Sequence, residues 1–150
     1  MNNTYKITTK SDEETIEVAQ NLESEKFPNM VICLNGDLGS GKTVFTKGFA
    51  SAMAIEDVTS PTFNIIKEYI GELPLYHIDV YRTNGKIDNL GIEEYFDKGG
   101  VIIIEWAEMI EDILPLERLD ITFKITGENS RVMLITPHGE KYVRVCEDAL

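Results

Sequence analysis

The chain has 150 residues, one domain's worth. Fourteen Lys and Arg against 26 Asp and Glu leave a net charge of −12, which disfavours a direct grip on nucleic-acid backbones or anionic membranes. The four arginines, Arg82, Arg118, Arg131 and Arg144, are too few for a basic groove, and no apolar run approaches the roughly 20 residues needed to span a bilayer. The hydrophobic share of 43% argues for a folded core. Residues 1–15 lack the apolar centre of a signal peptide, and Cys33 and Cys146 share no metal-ligand spacing. These features predict a single cytoplasmic domain over 1–150.

In chain order, residues 11–26 predict a helix. Ser11 and Glu14 form a capping box, and Ile16, Ala19 and Leu22 follow at helical spacing. Met30–Leu34 is a short apolar run before glycines, as expected of a strand buried on both faces. After a loop at 36–41, Phe45, Phe49, Ala52 and Met53 restore helical spacing. Period-two alternation beyond Pro61 and a turn at Gly71 predict a hairpin over 62–81. Short helices are expected in 86–97, a buried strand at 101–104 and a helical stretch to about 114. Two further strands are expected around a turn at Gly127–Asn129. Residues 140–148 fit either a strand or a helix. The sum is an α/β domain with a mixed, partly antiparallel sheet flanked by helices.

The strongest motif is Gly36-Asp37-Leu38-Gly39-Ser40-Gly41-Lys42-Thr43, which matches G-x-x-x-x-G-K-[ST] at every fixed position. Its glycines let successive N–H groups converge on a phosphate, and the following helix contributes its positive end. Lys42 offers a point charge to the β- and γ-phosphates, and Thr43 offers a hydroxyl to Mg²⁺. An acidic protein can thus hold an anion at one local site. Such a loop requires a carboxylate at a neighbouring strand end. Glu105 follows the apolar run 101–104, and Asp79 ends Leu75-Tyr76-His77-Ile78-Asp79. Both converge on one metal if their strands flank the loop's strand.

A GTPase is disfavoured. Asp97-Lys98-Gly99-Gly100 matches D-x-x-G but precedes the apolar strand, and Asn84–Asp88 carries an insertion relative to N-K-x-D. A small-molecule kinase needs an arginine-bearing lid for which few arginines remain. ATP hydrolysis is the better reading, with a phosphotransferase and a nucleotide-gated binding module as the alternatives.

Together with this loop, Ser60-Pro61-Thr62, His77-Ile78-Asp79-Val80-Tyr81-Arg82 and Ile104-Glu105-Trp106 resemble, in order and spacing, the TsaE (YjeE) family of tRNA threonylcarbamoyladenosine synthesis. The resemblance runs from about residue 11 to 136. It implies an ATPase in which Thr43 and Glu105 ligate Mg²⁺, with Asp79 near the metal and required for turnover. Ser60-Pro61-Thr62 would form a switch-like loop, and adenine would lie near Asp12 or Thr15 and Arg131. It further implies action on a heterodimer of TsaB and TsaD, in which TsaD modifies adenosine 37 of tRNAs reading ANN codons. The ATPase would then meet tRNA only through that complex. Ser40 stands where the family often has Ala.

The residues themselves add detail. Pro61 fixes one backbone angle and restricts Ser60, holding the two hydroxyls in an extended presentation. His77 and Asp79 share a strand face, so a histidine–carboxylate contact is open to His77. Tyr81 closes the predicted hairpin. Arg82 suits either γ-phosphate charge or an acidic partner, and Trp106 suits either core or site edge.

Overall fold

The computed structural model describes residues 3–59, 65–84, 86 and 90–150. Among them seven strands form one sheet: β1 (Tyr5–Thr9), β2 (Val31–Gly36), β3 (Ile66–Tyr69), β4 (Leu75–Asp79), β5 (Val101–Glu105), β6 (Arg118–Ile125) and β7 (Arg131–His138). Their spatial order is β1-β7-β6-β2-β5-β4-β3. The central β6-β2-β5-β4 strands run parallel, while β1 and β7 at one edge and β3 at the other pair antiparallel. The mixed α/β sheet expected from the sequence is present.

The two apolar runs occupy the middle of this sheet because both of their faces are covered. Ile32, Leu34, Val101 and Ile103 point to one core layer together with Leu119, Ile121 and Phe123. The helices α1 (Asp12–Glu23), α2 (Lys42–Ala52) and α3 (Glu140–Ala149) cover that side through Leu22, Phe45, Phe49, Tyr142 and Val145. Val31, Cys33, Ile102 and Ile104 point to the other layer, against Ile92, Ala107 and Ile110. Ile92–Asp97 and Ala107–Ile113 are 3-10 segments rather than α-helices. Burying each such aliphatic side chain contributes about 1.5–3 kcal/mol, so β2 and β5 are anchored from both sides.

Helix α1 starts where its cap requires. Ser11 Oγ accepts the Glu14 N–H at 3.2 Å, while Glu14 Oε1 reaches back to the Lys10 N–H at 2.8 Å. Asp12, Glu13 and Glu14 in its first turn complement the helix dipole. It ends at Glu23, short of the expected residue 26, and the Ser24 hydroxyl donates to the Asn21 carbonyl at 2.6 Å.

Within the described residues the hairpin spans 66–79, with Ile66 opposite Ile78 and Tyr69 opposite Leu75. Residues 60–64 lie outside the described residues, and so does the expected Ser60-Pro61-Thr62 loop. Tyr81 does not extend β4 but begins a 3-10 turn, Tyr81–Thr83. Residues 140–148 resolve as helix, since α3 buries Tyr142, Val145 and Cys146 on one side.

Candidate functional site

The site is built at the carboxyl end of β2. There the chain leaves the sheet at Gly36 (φ 141°), passes Gly39 and Gly41, both with positive φ, and enters α2. A Cβ at Gly36 would lie 2.7 Å from the Phe123 carbonyl oxygen and 2.8 Å from Ser40 Oγ, so only glycine lets the loop fold this tightly. Gly41 caps α2 without a side-chain hydrogen bond, and the first turn holds no acidic residue. The positive end of the helix dipole there suits an anion.

Residues 37–44, Asp12, Ile65, Asp79, Tyr81, Arg82, Glu105, Trp106 and Arg131 surround a cavity of about 750 Å³. That volume falls in the range of small-ligand sites. Of the expected nucleotide residues, Gly36 does not line the cavity. Thr15 is not brought to it, being 2% exposed with its hydroxyl 2.8 Å from that of Thr9. Asp12 is on the wall. Arg131 braces the loop: one guanidinium nitrogen donates to the Gly39 carbonyl at 3.1 Å, the other to the Ser130 carbonyl at 2.8 Å.

Lys42 is only 5% exposed. Its ammonium donates to the Gly36 carbonyl and, at 3.1 Å, to the Asp37 carbonyl, and it lies 3.8 Å from the centre of the Trp106 ring. Burial lowers its pKa against the opposing pull of Glu105, Glu108, Asp79 and Asp37. Trp106 holds its ring there from a left-handed backbone (φ 63°), with its N–H on the Leu34 carbonyl and its face against Tyr81 at 4.6 Å. Trp106 thus borders the cavity while also packing against the second core layer.

Glu105 faces Leu34 of β2 and Asp79 of β4 in register. Thr43 Oγ1 donates to Glu105 Oε1 at 3.3 Å, and His77 Nε2 lies 2.5 Å from Glu105 Oε2. Asp79 and Glu105 thus lie side by side on adjacent strands and on the cavity wall, but their strands do not both flank β2. Strand β5 lies between β2 and β4. The carboxylate within reach of His77 is Glu105, across the strands, and not Asp79 along its own. Asp79 instead accepts the Tyr81 N–H at 3.0 Å, and burial, with the Glu105 charge adding to it, raises its pKa. Arg82 is exposed at the rim.

Two residues went unnoticed in the sequence. Asn35 Oδ1 accepts the Glu108 N–H at 3.0 Å, tying the strand end to the 107–113 segment. Burial raises the Glu108 pKa, and Lys42 counters it. The one available signal was the spacing of Glu108 three positions after Glu105.

The hydroxyl and carboxylates of Thr43, Glu105 and Asp79 are all hard oxygen donors, the set Mg²⁺ takes alongside phosphate oxygens and water. Among the described residues no three His, Cys, Asp or Glu side chains form a metal cluster of their own. A cation here would complete its shell from the ligand.

Ser40 is 1% exposed, and its hydroxyl has no hydrogen-bond partner among the described residues. Ser40→Ala is therefore expected to stabilise the fold by about 1 kcal/mol, measured by chemical denaturation. A loss of similar size would show that the hydroxyl is satisfied.

Fold and site together define a small mixed α/β domain with a glycine-rich loop and a cavity at the end of its central strand. Residues 9–133 match the family described as "Threonylcarbamoyl adenosine biosynthesis protein TsaE". The chain belongs to the TsaE family. The tRNA threonylcarbamoyladenosine biosynthesis protein TsaE of Bacillus subtilis (strain 168) is 48% identical over 142 residues, covering 93% of this chain and 90% of that one. Its namesake from Rickettsia conorii is 36% identical over 139 residues, covering 89% and 79%. The crystal structure of Bacillus subtilis YdiB superposes with a TM-score of 0.87 at 44% identity, over 99% of this chain and 95% of that one. Among the described residues, no helix is long and apolar enough to cross a membrane.

Proposed function

We propose that this chain is a Mg²⁺-dependent ATPase that serves threonylcarbamoylation of adenosine 37 in tRNAs reading ANN codons. It acts in the cytoplasm on a TsaB–TsaD heterodimer and drives that complex through its cycle. The observation that carries the reading is the meeting of Thr43 and Glu105 at the floor of the glycine-lined cavity, with Asp79 one strand further on. Lys42 and the N-terminal end of α2 hold the phosphates. Asp12 and Arg131 flank the base end. Thr43, Glu105 and Asp79 hold the cation and orient the attacking water, and bound Mg²⁺ supplies neutralisation of phosphate charge.

Phosphoryl transfer depends mainly on positioning and charge stabilisation, and an element supplied by a partner can be worth about 10³–10⁵ in rate. Hydrolysis is therefore weak in the isolated chain and rises with the partner. The net charge of −12 opposes direct tRNA contact and suits a basic patch on a protein. The test is phosphate release from ATP by the purified chain, with and without the TsaB–TsaD heterodimer. Stimulation that fades with rising salt, while ATP affinity changes less, supports the reading. No phosphate release in either case overturns it.

A further inference from the structure

The buried histidine of the site is unaccounted for by phosphate or metal binding. His77 is fully buried, does not line the cavity, and reaches no ligand position. Its Nε2 lies 2.5 Å from Glu105 Oε2, whereas its Nδ1 is buried without a hydrogen-bond partner among the described residues. This asymmetry fixes where the ring proton sits. A proton on Nε2 makes a hydrogen bond to the carboxylate. A proton on Nδ1 alone would strand a buried donor and set a bare nitrogen against a carboxylate oxygen, both costly.

Glu105 is only 3% exposed, so water does little to orient its carboxylate. Protein groups do so instead. His77 engages Oε2, which leaves Oε1 turned toward the Thr43 hydroxyl and the cavity. The strands make this arrangement rigid: His77 pairs with Ile103 and Asp79 with Glu105, which places His77 and Glu105 on one sheet face.

We propose that His77 is a positioning residue that, by donating from Nε2 to Glu105 Oε2, holds the Glu105 carboxylate in the orientation that presents Oε1 to the cation. The proposal rests on the ATPase reading above. Groups behind a metal-directed carboxylate that fix its orientation change metal affinity or activity by about 10–100-fold when removed.

The test compares His77→Leu, which keeps bulk but donates nothing, with His77→Gln, whose side-chain amide can donate to the same oxygen. The Leu variant is expected to need about 10–100-fold more Mg²⁺ for half-maximal hydrolysis and to lose kcat, with the KM for ATP at saturating Mg²⁺ changed by less than about threefold. The Gln variant is expected to recover most of both. A folded Leu variant with wild-type Mg²⁺ requirement, or a Gln variant as impaired as Leu, overturns the proposal. Nitrogen-15 spectra of the imidazole provide a readout independent of turnover and of whether the Leu variant folds. They should show the Nε2–H tautomer in the wild type, with its signal displaced in Glu105→Gln. An Nδ1–H tautomer overturns the contact even in an active ATPase. If the wild type releases no phosphate with its partner, the ATPase reading fails, and the tautomer measurement still decides the contact.

Discussion

Lys42→Met should lower ATP hydrolysis by at least about 10²–10³ and leave the ligand-free fold as stable as the wild type or more so. The loss of activity follows from position. Lys42 is the one lysine on the cavity wall, and it sits at the head of α2 where the glycine-rich loop directs its N–H groups. Methionine keeps the length and apolar stem of the side chain, so packing against Trp106 survives while the charge is lost. The stability effect follows from the depressed pKa. Burial shifts Lys42 below its ordinary 10.5, so between the folded and unfolded values the unfolded chain binds more protons than the folded one. Wild-type stability then rises with pH through that window, and at neutral pH the buried charge is a cost. The Met variant lacks both the cost and the pH-dependent gain. Denaturation of both proteins at neutral pH and in the alkaline window, beside a hydrolysis assay, checks each half. A Met variant that hydrolyses ATP at the wild-type rate, or that is clearly less stable at neutral pH, contradicts the assignment of Lys42 as a charge held for a phosphate.

What could be seen in the sequence was whatever is encoded locally. The apolar run before Gly36, the glycine spacing and the helical spacing after it are contiguous, so β2, the loop and α2 were legible together. Asp79 and Glu105 were legible as acids at strand ends. Strand order was not, because no local pattern says that β5 lies between β2 and β4. For the same reason the partner of His77 was hidden: alternation along β4 points to Asp79, whereas the contact crosses to β5. Strand β1 escaped notice although Tyr5, Ile7 and Thr9 alternate with exposed Lys6 and Thr8. It is five residues long and pairs with β7 on one side. In α3 the spacing of Tyr142, Val145 and Cys146 is helical, but Val143 and Val145 weaken the intrinsic preference. Packing decides it, with the Tyr142 ring edge-on to Phe27 and its hydroxyl accepting the Val31 N–H at 2.9 Å.

Glu105→Gln should reduce single-turnover hydrolysis by about 10²–10³ and flatten its dependence on Mg²⁺, with a smaller loss in ATP binding. Glutamine preserves volume and can still meet Thr43 and His77, so the change removes charge from a group that is 3% exposed without opening a cavity. Asp79→Asn should also lose hydrolysis, because Asp79 stands opposite Glu105 in register on the cavity wall. If the two carboxylates serve one cation and one water, removing the second after the first costs little more. The double variant should then fall far short of the product of the two single losses. Their electrostatic coupling gives a second, independent readout. Burial and the Glu105 charge both raise the Asp79 pKa above its ordinary 3.8, which places the acid limb of the wild-type rate profile at higher pH than an ordinary aspartate would. Neutralising Glu105 removes one of those two causes, so the acid limb of the residual activity should move to lower pH. Multiplicative losses with an unmoved acid limb would mean that the two carboxylates act separately, and that their adjacency on β4 and β5 is a matter of strand packing alone.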